Sequence, residues 1–259
     1  MKFCTVSVLF GLAMILSSCA STPGGGDTVE LRVLALNDFH GNLEPPADGI
    51  RVLDPVGATT NVPGGGAARL ANLVAERRAL SPNTIMVAAG DLIGASPMLS
   101  SLFHDEPTIE SMTMMGLALS AVGNHEFDEG PDELMRMQAG GCHPRDGCRG
   151  PAPFKGAGFQ YLAASTVVNA TGETLFPASA VREFDGVRVG FIGLTLESTP
   201  DAVIPSSVVG LTFRDEVSTI NEQAEHLRGM GVEAIVVLIH EGGVRTSGAG
   251  DCPGLSGRI

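Results

Sequence analysis

Apolar positions along the chain change between two spacings from about residue 30 onward. Residues 30–36 alternate between polar and apolar, which predicts a half-buried strand. Short continuous apolar runs that stop at turn residues are typical of buried strands. Together these patterns predict strands at residues 30–36, 84–89, 117–122, 159–168, 180–184, 187–194 and 234–239.

Segments with helical spacing lie between several of these strands. Apolar residues recur every three or four positions in them, which is the repeat of an amphipathic helix. They predict helices at residues 67–78, 108–115, 131–138 and 217–227. Residues 42–66 are rich in Pro and Gly and predict a long loop. The alternation of strand and helix predicts an α/β protein.

Four of the predicted strands end on side chains that could bind a metal ion or act in catalysis. In α/β sheets, ligands gather at the carboxyl ends of the strands. We therefore expect these strand ends to converge on one site, although they are far apart in the sequence. The side chains are Asp38 and His40, Asp91, Asn124 and His125, and His240.

Composition narrows the classes of function. The 259 residues carry a formal net charge of −13, which repels polyanions and argues against a nucleic-acid polymer as partner. A small phosphorylated substrate remains compatible, because bound metal ions reverse the local sign of the charge. Aromatic residues make up only 5% and Trp is absent, so the core must be aliphatic.

The candidate ligands form a mixed nitrogen and oxygen set. Residues i and i+2 of an extended segment face the same way, so Asp38 and His40 could bind one ion. Asp91 has two carboxylate oxygens and could bridge two ions. Such a set suits Zn, Mn, Fe or Co. Two ions of this kind can clamp a phosphoryl group, activate water and stabilise the leaving oxygen.

Several motifs of the chain resemble those of one enzyme family, in the same order. They are DFHGNLE at 38–44, GGGAARL at 64–70, GD at 90–91, GNHEFD at 123–128 and IH at 239–240. They are similar to the metallophosphoesterases of the 5′-nucleotidase/2′,3′-cyclic phosphodiesterase family. The resemblance covers residues 29–259 and implies a four-layer α/β/β/α sandwich with two metal ions.

The resemblance also implies a role for each site residue. Asp38, His40 and Asp91 would hold the first ion. Asp91 would bridge to the second ion, which Asn124 and His240 would also hold. His125 would stabilise the transition state, with Asp128 holding its ring.

Two family features do not follow in this sequence. The family closes its site with a Gly-His-x-His motif after the position of His240, and no histidine follows His240 here. A separate nucleotide-binding domain would come later still. We therefore expect a catalytic domain that is truncated, a fold incomplete at its C-terminus, and little activity from the chain alone.

The first residues resemble an export signal. A short basic start and an apolar stretch lead to LSSC at 16–19, which is similar to the lipobox of bacterial lipoproteins. This predicts a signal peptide at 1–18, a lipid on Cys19, a flexible tether at 19–28, and a location at the outer membrane or facing the periplasm. An ordinary secretory signal with a chance cysteine is the alternative.

Cys142 and Cys148 lie six positions apart in the segment GCHPRDGC. In an oxidising compartment they predict a disulfide, and metal binding together with His143 is the alternative. Cys252 has no assigned partner. The other histidines, His104, His143 and His226, are expected to be solvated.

The leading hypothesis for function is hydrolysis of nucleotide phosphate esters outside the cytoplasm. A 2′,3′-cyclic phosphodiesterase, a nucleotide-sugar hydrolase or a hydrolase of sulfur oxyanions would use the same chemistry. A non-catalytic surface lipoprotein with this fold is the alternative from another class.

Overall fold

The structure is a computed structural model that describes residues 28–53, 58–242, 244–245 and 255–256. The predicted signal peptide, Cys19 and nearly all of the predicted tether lie outside the described residues, as does Cys252. None of the helices in these described ranges is long and apolar enough to cross a membrane.

The described chain alternates between strands and helices. The strands are β1 (Arg32–Leu36), β2 (Ile50–Leu53), β3 (Thr59–Val62), β4 (Thr84–Ala88), β5 (Leu117–Ala121), β6 (Gln160–Leu162), β7 (Thr166–Val168), β8 (Ser179–Phe184), β9 (Val187–Leu194), β10 (Leu211–Phe213), β11 (Ala234–Ile239), β12 (Val244–Arg245) and β13 (Leu255–Ser256). The helices are α1 (Ala67–Arg78), α2 (Met98–Ser101), α3 (Glu106–Met115), α4 (Pro131–Ala139), α5 (Thr199–Ala202) and α6 (Glu216–Gly229), with 3₁₀ turns at His125–Phe127 and Pro205–Val208.

Two sheets form the centre of the molecule. The first has the order β1-β4-β5-β6 and all its described pairs are parallel. The second has the order β11-β9-β8, with β11 parallel and β8 antiparallel to β9. The carboxyl ends of β1, β4 and β5 therefore lie at one edge of the first sheet.

The alternation of side chains along the strands separates the core into layers. On β4, Ile85 and Val87 pack in a cluster with Phe191 of β9 and Leu238 of β11, between the two sheets. Met86 faces the opposite way and packs with residues of α1, α3 and α4. Residues of α6 cover the outer face of the second sheet. The predicted α/β/β/α arrangement of four layers is confirmed.

One predicted strand is divided in two. Residues 159–168 form β6 in the first sheet and β7, which pairs with β10 instead. Between them Ala164 N–H donates to the carbonyl of Gly193 in β9, so the chain leaves the first sheet there. The largely apolar pattern predicted one strand because most of these positions are buried, whichever sheet covers them.

The predicted long loop at 42–66 contains regular structure. β2 and β3 form an antiparallel hairpin within it, with Ile50 opposite Val62. The described side chains of β3 are exposed, so no alternation of buried and exposed positions marks the hairpin. The prediction of an irregular loop was wrong for these strands.

Candidate active site

The loops after β1 and β4 are bound to each other through their backbones. Asp38 N–H donates to the carbonyl of Gly90 at 3.2 Å, and His40 N–H donates to that of Asp91 at 3.1 Å. Asp38, His40 and Asp91 have positive φ angles of 51°, 44° and 52°. Residues other than glycine held in this region are strained, and such strain clusters at functional sites.

The expected extended geometry of Asp38 and His40 was wrong. Both residues turn through left-handed backbone conformations after β1 has ended. The turn still brings them together, since the Nε2 of His40 lies 3.8 Å from the Oδ1 of Asp38.

Asp91 lies at the centre of the group. Its side chain comes from the end of β4, and the residue is only 2% exposed. Its Oδ2 lies 3.0 Å from the Nε2 of His240, which follows β11, and 3.6 Å from the Nε2 of His40, which follows β1. Ligand atoms of Asp38, Asp91 and His240 all lie within 4.8 Å of one another. Three strand ends from two sheets therefore converge here.

Both histidines have the orientation that metal ligands need. The Nδ1–H of His40 donates to the carbonyl of Gly94 at 2.9 Å, and that of His240 donates to the carbonyl of Ala89 at 3.1 Å. Carbonyls only accept, so Nδ1 carries the proton and Nε2 faces Asp91. Histidines that bind metals commonly donate their second ring N–H in this way. The donor set therefore fits divalent metal ions.

Burial and charge act in opposite directions on the pKa values at this centre. Burial raises the pKa of Asp91, but the hydrogen bond and charge of His240 and the N–H of His125 outweigh it, so the pKa is lowered. Burial lowers the pKa of His240, and the hydrogen bond and charge of Asp91 outweigh it, so that pKa is raised. Negative charge at the centre thus favours a bound cation.

The loop after β5 adds the candidate catalytic pair. His125 N–H donates to the Oδ1 of Asp91 at 2.9 Å, and the Nδ1 of His125 lies 3.0 Å from the Oδ2 of Asp128. The ring of His125 meets that of His40 edge-to-face, with centroids 5.0 Å apart. Asn124 precedes His125 and is buried. The structure thus brings all the predicted strand-end residues to one edge of the sandwich.

Comparisons with known proteins agree with this geometry. No family model matches the chain. Endonuclease YhcR of Bacillus subtilis is 39% identical over 213 residues, which are 82% of this chain and 17% of that protein. Cell wall protein Lmo0130 of Listeria monocytogenes is 38% identical over 226 residues, 83% of this chain and 28% of that protein. A probable 5′-nucleotidase of Treponema pallidum is 30% identical over 238 residues, 91% of this chain and 36% of that protein.

A solved structure shares both the fold and recognisable sequence. The 5′-nucleotidase precursor from Thermus thermophilus matches 81% of this chain and 37% of its own, with a TM-score of 0.63 and 28% identity. The chain belongs to the 5′-nucleotidase family of metallophosphoesterases. Membership implies divalent metal ions. The chain spans roughly a sixth to a third of the length of these curated relatives.

One carboxylate that sequence reasoning missed holds the metallophosphoesterase site together. Glu126 accepts the backbone N–H groups of Asp91 and Leu92, each at 2.8 Å, and that of Gly123 at 2.7 Å. Complete burial, followed by the charge of Asp91, raises the pKa of Glu126 to about 7 against these hydrogen bonds. The signal available was a second acidic residue inside the GNHEFD motif.

Glycines allow the loops after β4 and β5 to approach closely. Gly90 has a φ of 101°, and a Cβ there would overlap the backbone of Gly123. A Cβ on Gly123 would in turn overlap the carboxylate of Asp91. Both positions need glycine because the two loops touch through their backbones.

Two other histidines were expected to be solvated, and this was wrong. His143 is buried and stacks on His104, with ring centroids 3.8 Å apart and an angle of 8° between the planes. Cys142 and Cys148 are joined in a disulfide, so their sulfurs are not the partners of His143. His226 is exposed on α6, as expected.

Proposed function

We propose that the site of this chain serves metal-dependent hydrolysis of phosphate esters and that the substrates are nucleoside 5′-monophosphates outside the cytoplasm. The supporting observation is the convergence of Asp38, His40, Asp91 and His240 beside the His125–Asp128 pair. This arrangement combines a cation-binding centre with an oriented imidazole, which are the two parts that phosphoryl transfer needs.

The proposed ligands divide into two groups that share Asp91. Asp38, His40 and Asp91 would hold the first ion, and Asp91, Asn124 and His240 the second. When bound, two divalent ions supply Lewis acidity and lower the pKa of water. Zn, Mn, Fe and Co all suit the mixed nitrogen and oxygen donors.

His125 contributes a proton donor to the proposed mechanism. Burial lowers its pKa, but the hydrogen bond and charge of Asp128 outweigh this effect, so the pKa is raised. The imidazolium form therefore persists to higher pH and can donate a hydrogen bond to a phosphoryl oxygen as negative charge develops there. Asp128 also fixes the ring orientation, since it lies 3.0 Å from the Nδ1 and leaves Nε2 for the substrate.

The second candidate activity is hydrolysis of phosphodiester bonds. A relative named as an endonuclease, which is 39% identical to this chain, supports it. The net charge of −13 opposes a long polyanion, so a small cyclic or dinucleotide diester fits this chain better than a nucleic-acid polymer.

The experiment measures phosphate release and metal content together. The chain, loaded with Zn²⁺, Mn²⁺ or Co²⁺, is assayed against AMP, 2′,3′-cyclic AMP and single-stranded DNA, with and without a chelator. We expect the chain alone to release little phosphate from AMP, and any release to depend on metal, so that the chelator abolishes it. Activity that survives complete metal removal would disprove the metal-dependent mechanism, and preference for a diester would support the second candidate.

Asp91→Asn provides the decisive variant. Loss of even an outer-shell partner typically weakens metal binding roughly 10–100-fold. Loss of the shared ligand should therefore weaken the binding of both ions by at least this factor. The matched control is Asp48→Asn, since Asp48 is an exposed aspartate in the loop before β2. Equal metal content in the two variants would rule out the bridging role.

We also propose that the protein is an exported lipoprotein with lipid on Cys19. The LSSC motif at 16–19 and the cell wall protein among the relatives support this location. Expressed in a bacterium with its leader, the protein should partition into detergent, and Cys19→Ser should remove it from the detergent phase. Wild-type protein that stays in the aqueous phase with an unmodified Cys19 would exclude the anchor.

A further inference from the structure

A second group of metal-binding side chains lies beside the proposed catalytic pair. One ligand atom from each of His104, Glu129, Glu133 and His143 lies within 4.8 Å of the others. The first three of these residues line a cavity of about 240 Å³ that His125 and Asp128 also line. The group shares no residue with the Asp91 centre, and solvent can reach it through this cavity.

His104 has the orientation of a ligand with an outer-shell partner. Its Nδ1 lies 3.0 Å from the Oε2 of Glu129, inside the group. Its Nε2 lies 2.8 Å from the Oδ2 of Asp146, on the other side of the ring. A ring N–H that donates to a carboxylate directs the opposite nitrogen toward an ion, as in many carboxylate–histidine–metal arrangements.

His143 is the least exposed member, and the proposed hydrolysis does not use it. Its side chain is 4% exposed, and its Nε2 faces Glu129 at 3.8 Å, which is longer than a hydrogen bond. Its Nδ1 accepts the backbone N–H of Asp146 at 3.1 Å, so this nitrogen carries no proton. Close parallel stacking on His104 fits a ring without charge, because two stacked cations would repel.

The surroundings carry an excess of negative charge. Arg136 donates to both oxygens of Glu133, from Nη2 to Oε1 at 2.6 Å and from Nε to Oε2 at 2.8 Å, and it also binds Glu106 at 2.6 Å. Arg149 binds Asp146 at 2.8 Å. Two guanidinium groups thus face four carboxylates, those of Glu106, Glu129, Glu133 and Asp146. The excess favours a cation, and the hydrogen bonds hold the carboxylates in place.

We propose that His104, Glu129, Glu133 and His143 bind one divalent transition-metal ion, separate from the ions of the Asp91 centre. Two imidazoles and two carboxylates are ligands that Zn²⁺ and Co²⁺ accept. With an ion on the Nε2 of His143, the ring proton must lie on Nδ1, so the hydrogen bond from the backbone N–H of Asp146 to Nδ1 breaks when the ion binds. The carboxylate of Asp146 supports His104, through the contact of 2.8 Å between its Oδ2 and the Nε2 of that ring.

An ion here would connect three segments of the chain, which carry His104, the pair Glu129 and Glu133, and His143. His143 belongs to the loop closed by the Cys142–Cys148 disulfide, and Glu129 follows the proposed catalytic Asp128 directly. The ion would fasten the disulfide loop to the wall of the cavity that contains His125. Its effect is therefore structural, and it does not depend on the proposed hydrolysis.

The experiment isolates this group from the Asp91 centre. In the double variant Asp91→Asn, His240→Gln, the bridging carboxylate and an imidazole of the catalytic centre are removed. The protein is dialysed against Zn²⁺ and washed, and bound zinc is measured by mass spectrometry, with Co²⁺ absorption as a second probe. We expect one ion per chain. Adding His104→Gln and Glu129→Gln should remove it, whereas adding His226→Gln, on exposed α6, should not.

Each result decides the proposal. Zinc that persists after His104→Gln and Glu129→Gln, or no zinc in the double variant, would overturn it and leave a hydrogen-bonded network without an ion.

Thermal unfolding gives a second readout for those variants that fold. Zn²⁺ should raise the Tm of the double variant and not that of the quadruple variant. Asp146→Asn should weaken zinc binding roughly 10–100-fold, as outer-shell losses do.

Discussion

Glu126 shows how one residue can fix the geometry of two loops. Its carboxylate accepts three backbone N–H groups, from Asp91, Leu92 and Gly123, and the residue is only 3% exposed. A carboxylate can accept several bonds at once, whereas an amide can present only one oxygen to donors. The position therefore needs Glu for reasons of hydrogen bonding as well as shape.

Glu126→Gln should destabilise the protein by about 2 kcal/mol or more. The amide would direct its NH₂ at one or more of the backbone donors, and each buried donor left without an acceptor costs about 1–3 kcal/mol. Urea unfolding of the metal-free protein measures the change. Glu225→Gln on α6 is the matched control, since Glu225 is exposed. Equal stability of the two variants would contradict the role of Glu126.

His125→Ala should lower turnover roughly 10²–10³-fold and leave metal content unchanged. This is the usual cost of losing one donor to a developing oxyanion. The Nδ1 of His125 contacts Asp128, which is not one of the proposed metal ligands. The substitution therefore removes no ligand from the centre around Asp91. Kinetics and metal analysis on the same sample test this. Loss of metal with the ring would show that His125 is a ligand.

Much of the site could be predicted from the order of residues at strand ends. Asp38 and Asp91 come together because their parallel strands, β1 and β4, end at the same edge of the first sheet, and His240 joins them from the end of β11 in the second sheet. The sequence did not reveal the contacts of Glu126 or the stacking of His104 on His143. Those contacts join segments whose spacing depends on loop conformation, and loop conformation leaves no periodic pattern.

Helix α3 shows why apolar residues with the same chemistry differ in importance. Met112 is 0% exposed and packs in the core on the outer face of the first sheet, whereas Met114 is 87% exposed. Two residues along a helix rotate the side chain by more than half a turn. The same residue type therefore serves the core at one position and the surface at the other.

Met112→Ala should lower the free energy of unfolding by about 2–5 kcal/mol, the usual cost of a buried Met→Ala change. Met114→Ala should stay within about 0.5 kcal/mol of wild type, because it leaves no cavity. Both variants change helix propensity alike, so their difference reports packing. Urea unfolding measures it, and similar losses in both would contradict the burial of α3.

At the level of elements, the sequence predicted the bounds of those strands that stay in one sheet along their whole length. β9 and β11 have the predicted bounds, since each is an apolar run that stays in one sheet. The pattern at 159–168 crosses from one sheet to another, and periodicity does not record that change. The β2–β3 hairpin lacks a buried face, so it gave no pattern at all.

The whole molecule places the proposed metal centre between its two sheets. Asp91 comes from the first sheet and His240 from the second, while the cluster around Val87 and Phe191 fixes how the sheets pack. Ions held by both sheets would join two layers that otherwise touch through apolar side chains. Stability and metal binding should therefore be linked.

Free metal ion should raise the stability of the chain by an amount that grows with the logarithm of the ratio of its concentration to its Kd. A ligand that binds only the folded state adds about 2.7 kcal/mol when its concentration is 100 times its Kd. We expect Mn²⁺ or Zn²⁺ to raise the Tm of wild type and to raise it less in His240→Gln, which removes the ligand from the second sheet. His226→Gln is the matched control and should behave as wild type, because His226 lies exposed on α6. A metal-induced shift that is the same in all three proteins would show that the ions do not connect the sheets through His240.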